Sequence, residues 1–369
     1  MGPNAPSTDP LLTHDGPGFG KVRGMVFPRV VLVGHGVISE LADTCRQFDF
    51  PTRGAVITGQ RTAELAGNRA AELLNSGGFQ VSTILAGEAT EAEVERVAHE
   101  ARSAGARFLI GAGGGSKIDV TKVVAARLRI PFVSLPTSAA HDGISSPRAS
   151  LHGAASTSSI EAAVPIGVIA DSEVIVQAPF RLLASGCADV ISNLTATLDW
   201  KLAVRLRNEE FSSTAATLSE YAAQEIMDHA SAIKPGLEES VWIAIRPILV
   251  AGISMSVAGS SRPCSGSEHL FSHALDRIAE TPGLHGEQCG VGAIMMMYLH
   301  GGDWRQIKSA LLAIGAPTTA RELGVSHDET VRALAMAHSI RPDRYTILGD
   351  NGLTREAAER LARVTGVIE

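Results

Sequence analysis

The chain has 369 residues, 45% of them hydrophobic, which is enough to bury a large core and more length than one ordinary domain uses. Its formal net charge of -7 comes from mixed signs spread along the sequence. No basic block or basic–aromatic interleaving is present to follow a phosphate backbone, which argues against nucleic acid as a partner.

Residues 1–24 are rich in Pro, Gly and polar residues and lack the apolar run of a secretory signal, so they read as a tail. From Val30 to Asp171, short β-branched runs recur at 30–36, 55–59, 81–85, 108–113, 132–136 and 166–171. Between them, segments such as Thr62 to Ser76 and Glu91 to Ala104 place apolar residues at helical spacing with charges opposite. That alternation predicts a parallel sheet with helical crossovers, a nucleotide-binding α/β domain over 25–178. The Ser-, Ala- and Thr-rich stretch Ser150 to Val164 predicts a hairpin or an excursion from the sheet.

Beyond Pro179 strand signals vanish, and helical patterns follow over Phe180 to Leu206, Phe211 to His229, Leu237 to Ala258, Ser265 to Ile278 and Gly286 to His300. An all-α domain is expected over 179–369. The apolar run Ile243 to Val257 is interrupted by Arg246, Pro247 and Gly252 and is too short to cross a bilayer, so no membrane span is expected. Cys45, Cys187, Cys264 and Cys289 lie far apart without CxxC spacing, in segments that read as buried. A reduced, cytoplasmic protein fits that usage.

Two loops could approach a nucleotide. In RFLIGAGGGSKIDVTK, residues 107–122, a strand runs into Gly111 to Ser116 and then into a helix, so bare amides could face a pyrophosphate. Ser116 replaces the third glycine of the usual dinucleotide fingerprint, and no acidic residue follows about 20 positions on. Gly34-His35-Gly36, after the first strand, is the second candidate, and one of the two could serve packing alone.

The helical half concentrates metal-ligand chemistry. Three of the 12 histidines, His269, His273 and His285, fall close together among small and polar residues. Carboxylate plus imidazole ligands with an open position suit a divalent Lewis acid. His269 and His273, spaced i, i+4, share a helix face, and spacing leaves open whether His273 is a ligand or a neighbour. Asp189 alone reads as a helix cap or surface charge.

The blocks GAGGGSKIDVTK, LPTSAAHDGISSPRAS, GCADVISNLTATLDWKLA, SRPCSGSEHLFSHALD and LHGEQCGVG, in this order, resemble the sn-glycerol-1-phosphate dehydrogenases of archaeal phospholipid synthesis. The resemblance runs from about Val30 to the C-terminus and implies a dehydroquinate synthase-like fold, with cofactor and metal in the cleft between two domains. It implies NAD(H) or NADP(H) held by Gly115, Ser116, Lys117, Ile118 and Asp119, by Thr137, Ser138, Ala139 and Ala140, and by Ser146. It implies a divalent metal, by default zinc, on Asp189, His269 and His285, and substrate contacts from Asp142, Asp189 and His273. Asp142 and His273 are the catalytic candidates, for orienting hydroxyls or relaying the alcohol proton.

The implied reaction reduces dihydroxyacetone phosphate to sn-glycerol 1-phosphate, in a homo-oligomer by analogy. Arg148, Lys201 and Arg262 are candidates for the substrate phosphate. The competing expectations are a glycerol or polyol dehydrogenase of the same fold, a dehydroquinate-synthase-like cyclase, and an inactive nucleotide binder.

Overall fold

The computed structural model describes residues 24–153 and 157–369, so the expected tail lies outside the described residues except for Gly24. Apolar runs with β-branched residues form strands β1 (Val30–Gly34), β2 (Arg53–Thr58), β3 (Gln80–Leu85), β4 (Leu109–Gly113), β5 (Phe132–Pro136), β6 (Arg148–His152), β7 (Thr157–Glu161) and β8 (Gly167–Asp171). The six strands other than β6 and β7 make one parallel sheet in the order β1-β8-β5-β4-β2-β3. Every residue of β4, β5 and β8 is buried, which accounts for their unbroken apolar character.

Crossover helices cover both faces. They are α1 (Leu41–Gln47), α2 (Gln60–Thr62), α3 (Asn68–Ser76), α4 (Glu91–Ser103) and α5 (Gly115–Leu128). Alternation along the strands sorts the contacts. Ala55, Ile57 and Leu109 face Val94 and Val97 of α4 and Val124 of α5, whereas Val56 and Ile110 face Leu41 of α1 and Leu74 of α3. From β2 the chain steps outward to β3, then returns past β2 to β4, β5 and β8. That reversal opens a crevice at the carboxyl ends of β2 and β4, the usual ligand position in such sheets. The stretch expected to leave the sheet does so, with β6 and β7 pairing antiparallel by themselves.

After the short α6 (Ser172–Ile175), helices α7 (Phe180–Arg207), α8 (Ser213–Asp228), α9 (Glu238–Ala258), α10 (Ser267–Ile278), α11 (His285–Leu299), α12 (Trp304–Ile314), α13 (Ala320–Leu323), α14 (His327–Ile340) and α15 (Arg355–Val364) build the helical half. They share one apolar core. α9 matches the helix expected over Leu237 to Ala258, but with 21 residues it exceeds the apolar run Ile243 to Val257 and is apolar enough to span a bilayer by length and composition. Yet 67% of its most apolar window is buried within the protein, so it is a core helix.

Glycines bring the two halves together. A Cβ on Gly186 of α7 would overlap the Ala139 carbonyl, and one on Gly252 of α9 would overlap the Ser145 hydroxyl. The segment after β5 is thus wedged between these helices. Lys122 fastens the same segment from the sheet side. Its fully buried ammonium donates to the carbonyls of Gly143 and of Arg148 (2.6 Å for the latter) and lies 3.3 Å from Asp119. Lys122→Met should leave Asp119 without its buried cation and lower stability by about 3–5 kcal/mol, a shift that denaturant unfolding against the wild type measures.

Candidate active site and metal centre

The end of β4 feeds Gly113 and Gly114 directly into α5, whose N-cap residue Gly114 provides no side-chain cap. The first amides of α5 therefore face the crevice with the positive end of the helix behind them. Thr137 donates its amide to the Gly113 carbonyl at 3.0 Å, binding the post-β5 segment to this loop. A Cβ on Gly115 would overlap the His141 imidazole, so any larger residue there must push that ring aside. Ala139 and Ile118 have core side chains, leaving their backbone alone for any ligand.

The other glycine loop is engaged internally. Gly36 and Ile38 donate their amides to the two carboxylate oxygens of Asp171 at 3.1 and 2.9 Å, so Asp171 occupies the place an anion would take. Gly34-His35-Gly36 is therefore a packing turn.

A cleft of ≈ 690 Å³ runs from Ser116 and Asp119, past Asp142 and Ser146, to His269, His273 and His285. The long α7 carries Asp189, α10 carries His269 and His273, and α11 opens with His285. The Nε2 atoms of His269 and His285 each lie 3.7 Å from Asp189 Oδ1. That oxygen is buried and has no hydrogen-bond partner, while the Asp142 amide donates to Oδ2 at 3.1 Å. Outer groups orient both rings. His269 Nδ1 is 2.9 Å from Glu268 Oε1, and His285 Nδ1 is 3.1 Å from Ser272 Oγ. Ser272 in turn donates to Gln288 Oε1 at 2.7 Å, so its oxygen is left to accept from His285. With each Nδ1 occupied, each Nε2 lone pair points at the orphaned carboxylate oxygen, the arrangement of metal-ligating histidines.

The electrostatics agree with a cation between them. Burial pushes the Asp189 carboxyl up to about 7 and the His285 imidazole down to about 4, and lowers His269 well below its ordinary value. Burial first, and Asp189 second, push Asp142 up to about 7. The donor set Asp189, His269 and His285 fits a divalent metal, with Cys289 close enough to join: all four ligand atoms lie within 4.8 Å of one another. The His273 ring is beside this group, its centroid 5.9 Å from that of His285 and 6.5 Å from that of His269, and its Nδ1 is buried without a hydrogen bond, 3.9 Å from Asp276 Oδ2.

Sequence reasoning missed His141, Cys289 and Arg341, which also border the site. Cys289 had a signal, since it follows His285 by four residues on one helix face. Among the expected cofactor residues, Asp119 is buried, accepting from the Ser150 amide at 3.1 Å beside Lys122. Lys117 turns to the Gly87 carbonyl at 2.5 Å, toward the β2 end of the crevice. Of the expected phosphate cations, Lys201 pairs with Glu220 and the buried Arg262 with Glu209, whereas Arg148 borders the cleft.

A parallel sheet with a helix-start amide cradle, facing a carboxylate–imidazole cluster, defines a nicotinamide-dependent, metal-assisted alcohol dehydrogenase in its architecture. Residues 32–179 match the family of iron-containing alcohol dehydrogenases. The chain is 54% identical over 94% of its length to a glycerol-1-phosphate dehydrogenase [NAD(P)+] of Methanosarcina acetivorans, covering 97% of that protein. It is 55% identical over 94% of its length to the enzyme of the same name from Methanothermobacter thermautotrophicus, covering 99% of it. The chain belongs to the glycerol-1-phosphate dehydrogenase family.

Its fold is that of glycerol dehydrogenase from Schizosaccharomyces pombe, at a TM-score of 0.78 and 18% identity, covering 94% of this chain and 90% of that one. Sulfoacetaldehyde reductase from Bifidobacterium kashiwanohense, solved with NAD+, superposes at 0.75 and 17% identity over 95% of this chain and 100% of that one. Gly115→Ala must displace the His141 ring beside the helix-start amides and should weaken NADH binding by roughly tenfold or more in a fluorescence titration; unchanged affinity would remove this loop from the cofactor site.

Proposed function

We propose that the protein reduces dihydroxyacetone phosphate to sn-glycerol 1-phosphate with NADH or NADPH and a divalent metal, zinc by its donor set, in the cytoplasmic synthesis of archaeal phospholipids. The observation that carries the reading is the convergence of two outward-braced imidazoles on the orphaned Asp189 oxygen, at one end of a cleft whose other end is the Gly113–Ser116 amide cradle. When bound, the nicotinamide supplies hydride to the ketone carbon, and the cation supplies Lewis-acid stabilisation of the charge that develops on the ketone oxygen.

The chain's own residues do the rest. Asp189, His269 and His285 hold the cation, and Glu268 and Ser272 fix the imidazole orientations. Cys289 is a wall of the site and not a fourth ligand, because a reacting oxygen needs an open position. Asp142, whose carboxyl burial pushes up to about 7, and His273, whose Nδ1 makes no hydrogen bond and has Asp276 Oδ2 3.9 Å away, orient hydroxyls and deliver the proton that completes the alcohol. The glycine loop and residues 137–140 seat the cofactor from the sheet side, beside Ser146.

On metal-defined protein, dihydroxyacetone phosphate should oxidise NADH or NADPH stoichiometrically and far faster than dihydroxyacetone does. Preference for the unphosphorylated ketone would sink the assignment in favour of a polyol dehydrogenase, and turnover without net cofactor consumption would favour the cyclase. His269→Ala or His285→Ala should abolish stoichiometric metal binding, measured by elemental analysis, whereas Cys289→Ala should keep it. His273→Ala should retain metal and cofactor while losing turnover on the order of 100-fold; turnover at the wild-type rate would take His273 out of the mechanism.

A further inference from the structure

We propose that Arg341, reaching the cleft from the segment after α14, anchors the phosphate of the substrate together with Arg148 of β6 and sets the preference for a phosphorylated ketone. The inference rests on the reading of the site as a dihydroxyacetone phosphate reductase. Both arginines border the cleft that contains the metal-ligand cluster, one from each half of the fold. Neither forms a close ion pair with a carboxylate there. Among the described residues no ion pair or hydrogen bond engages the Arg341 side chain, and Arg148 directs its guanidinium at the hydroxyl and carbonyl of Ser159, at 3.3 and 2.7 Å. The two repel each other: burial first, and Arg341 second, lower the Arg148 guanidinium. Glu161, across the hairpin from Arg148, offsets part of its charge, but no carboxylate pairs with Arg341, so the two arginines together keep positive charge at a half-buried site that a dianion would match.

The floor of this corner is built for an anion as well. Arg344, three residues on, donates to Ser261 Oγ at 2.9 Å and to the Ser265 carbonyl at 2.5 Å. Ser261 therefore keeps its own hydroxyl proton to offer into the cleft that it borders. Ser265 lies just before Gly266, the N-cap of the helix that carries His269, and both residues line the same cleft. Only three bonds separate the ketone carbon of dihydroxyacetone phosphate from its phosphorus. Phosphate in this corner would let the ketone extend along the cleft toward the cluster.

The test compares wild type, Arg341→Met and Arg341→Lys as metal-replete protein, reading the ratio of kcat/KM for dihydroxyacetone phosphate to that for dihydroxyacetone. Inhibition by inorganic phosphate is measured in parallel. Arg341→Met should lower the ratio on the order of 10- to 100-fold and weaken phosphate inhibition by a similar factor. Arg341→Lys, which keeps the charge without the two-pronged donor, should recover part of both. A wild type that favours the phosphorylated ketone, with both variants within about twofold of its ratio and its phosphate inhibition, overturns the anchor alone. A wild type without that preference overturns the functional reading and the anchor with it. If Arg341→Met does not fold, Arg341→Lys decides the case by the same two readouts.

Discussion

A buried carboxylate oxygen that no protein group satisfies is the constraint around which the cleft is arranged. Asp189 Oδ1 is enclosed in the middle of α7 with two imidazole nitrogens 3.7 Å away, neither close enough to bond it. Left so, the oxygen would be a net loss to folding, since burying an unpaired polar group costs about 1–3 kcal/mol or more. Burial opposes charge on the carboxylate and on both rings, raising the first and lowering the others. A divalent cation relieves all three at once, because it favours the ionised carboxylate and the neutral imidazole. The surrounding contacts preserve this geometry. Glu268 is held by Thr195 Oγ1 at 2.7 Å and the Gly266 amide at 2.6 Å, and Gln288 reaches Asp276 and the Gly283 carbonyl at 3.1 and 2.8 Å. Ring orientation at the cleft is thereby set by helices α7, α10 and α11 together.

The second requirement is that the cofactor side come close to this cluster, and small residues meet it. Gly186 and Gly252 let the post-β5 segment enter between α7 and α9 with no intervening side chain, and the Asp142 amide reaches Asp189 as a result. Gly286 does the same between helices, where a Cβ would overlap the Ser185 carbonyl. An aromatic content of only 4% is consistent with a core built on backbone approach. Lys122 then ties this segment to α5 from below, so the amide cradle and the Asp189–His269–His285 cluster are linked through a few residues of chain.

Local pattern made the elements legible, because strand and helix periodicity depend on neighbours in sequence. The six sheet strands and the five long helices from α7 to α11 occur where the runs place them, with ends shifted by one or two residues. The hairpin was legible too, from its Ser- and Thr-rich composition. Long-range partners were not. Nothing near Gly34-His35-Gly36 announces that Asp171, on the neighbouring strand but 135 residues later, will take its amides. Spacing made Asp189 an ordinary helical aspartate, and only its likeness to family blocks brought it forward. Arg262 and Lys201 looked like Arg148 in sequence, and their ion pairs with Glu209 and Glu220 are what separate them.

The pair His269 and His273 shows why a shared helix face does not mean a shared role. Residues i and i+4 project from one side of α10, yet their positions differ by about 6 Å along the axis. Ligand atoms around one cation must converge within a few ångströms, and His285 arrives from α11 to join His269 and Asp189 at one level only. His273 is a turn beyond that level, stacked at 28° to the His285 ring, with its Nδ1 outside hydrogen-bond reach of Asp276, 3.9 Å away. The same helical pitch that sets His273 back from the three converging atoms leaves it bordering the cleft beside them, and on that position the proposed role with a hydroxyl or a proton rests.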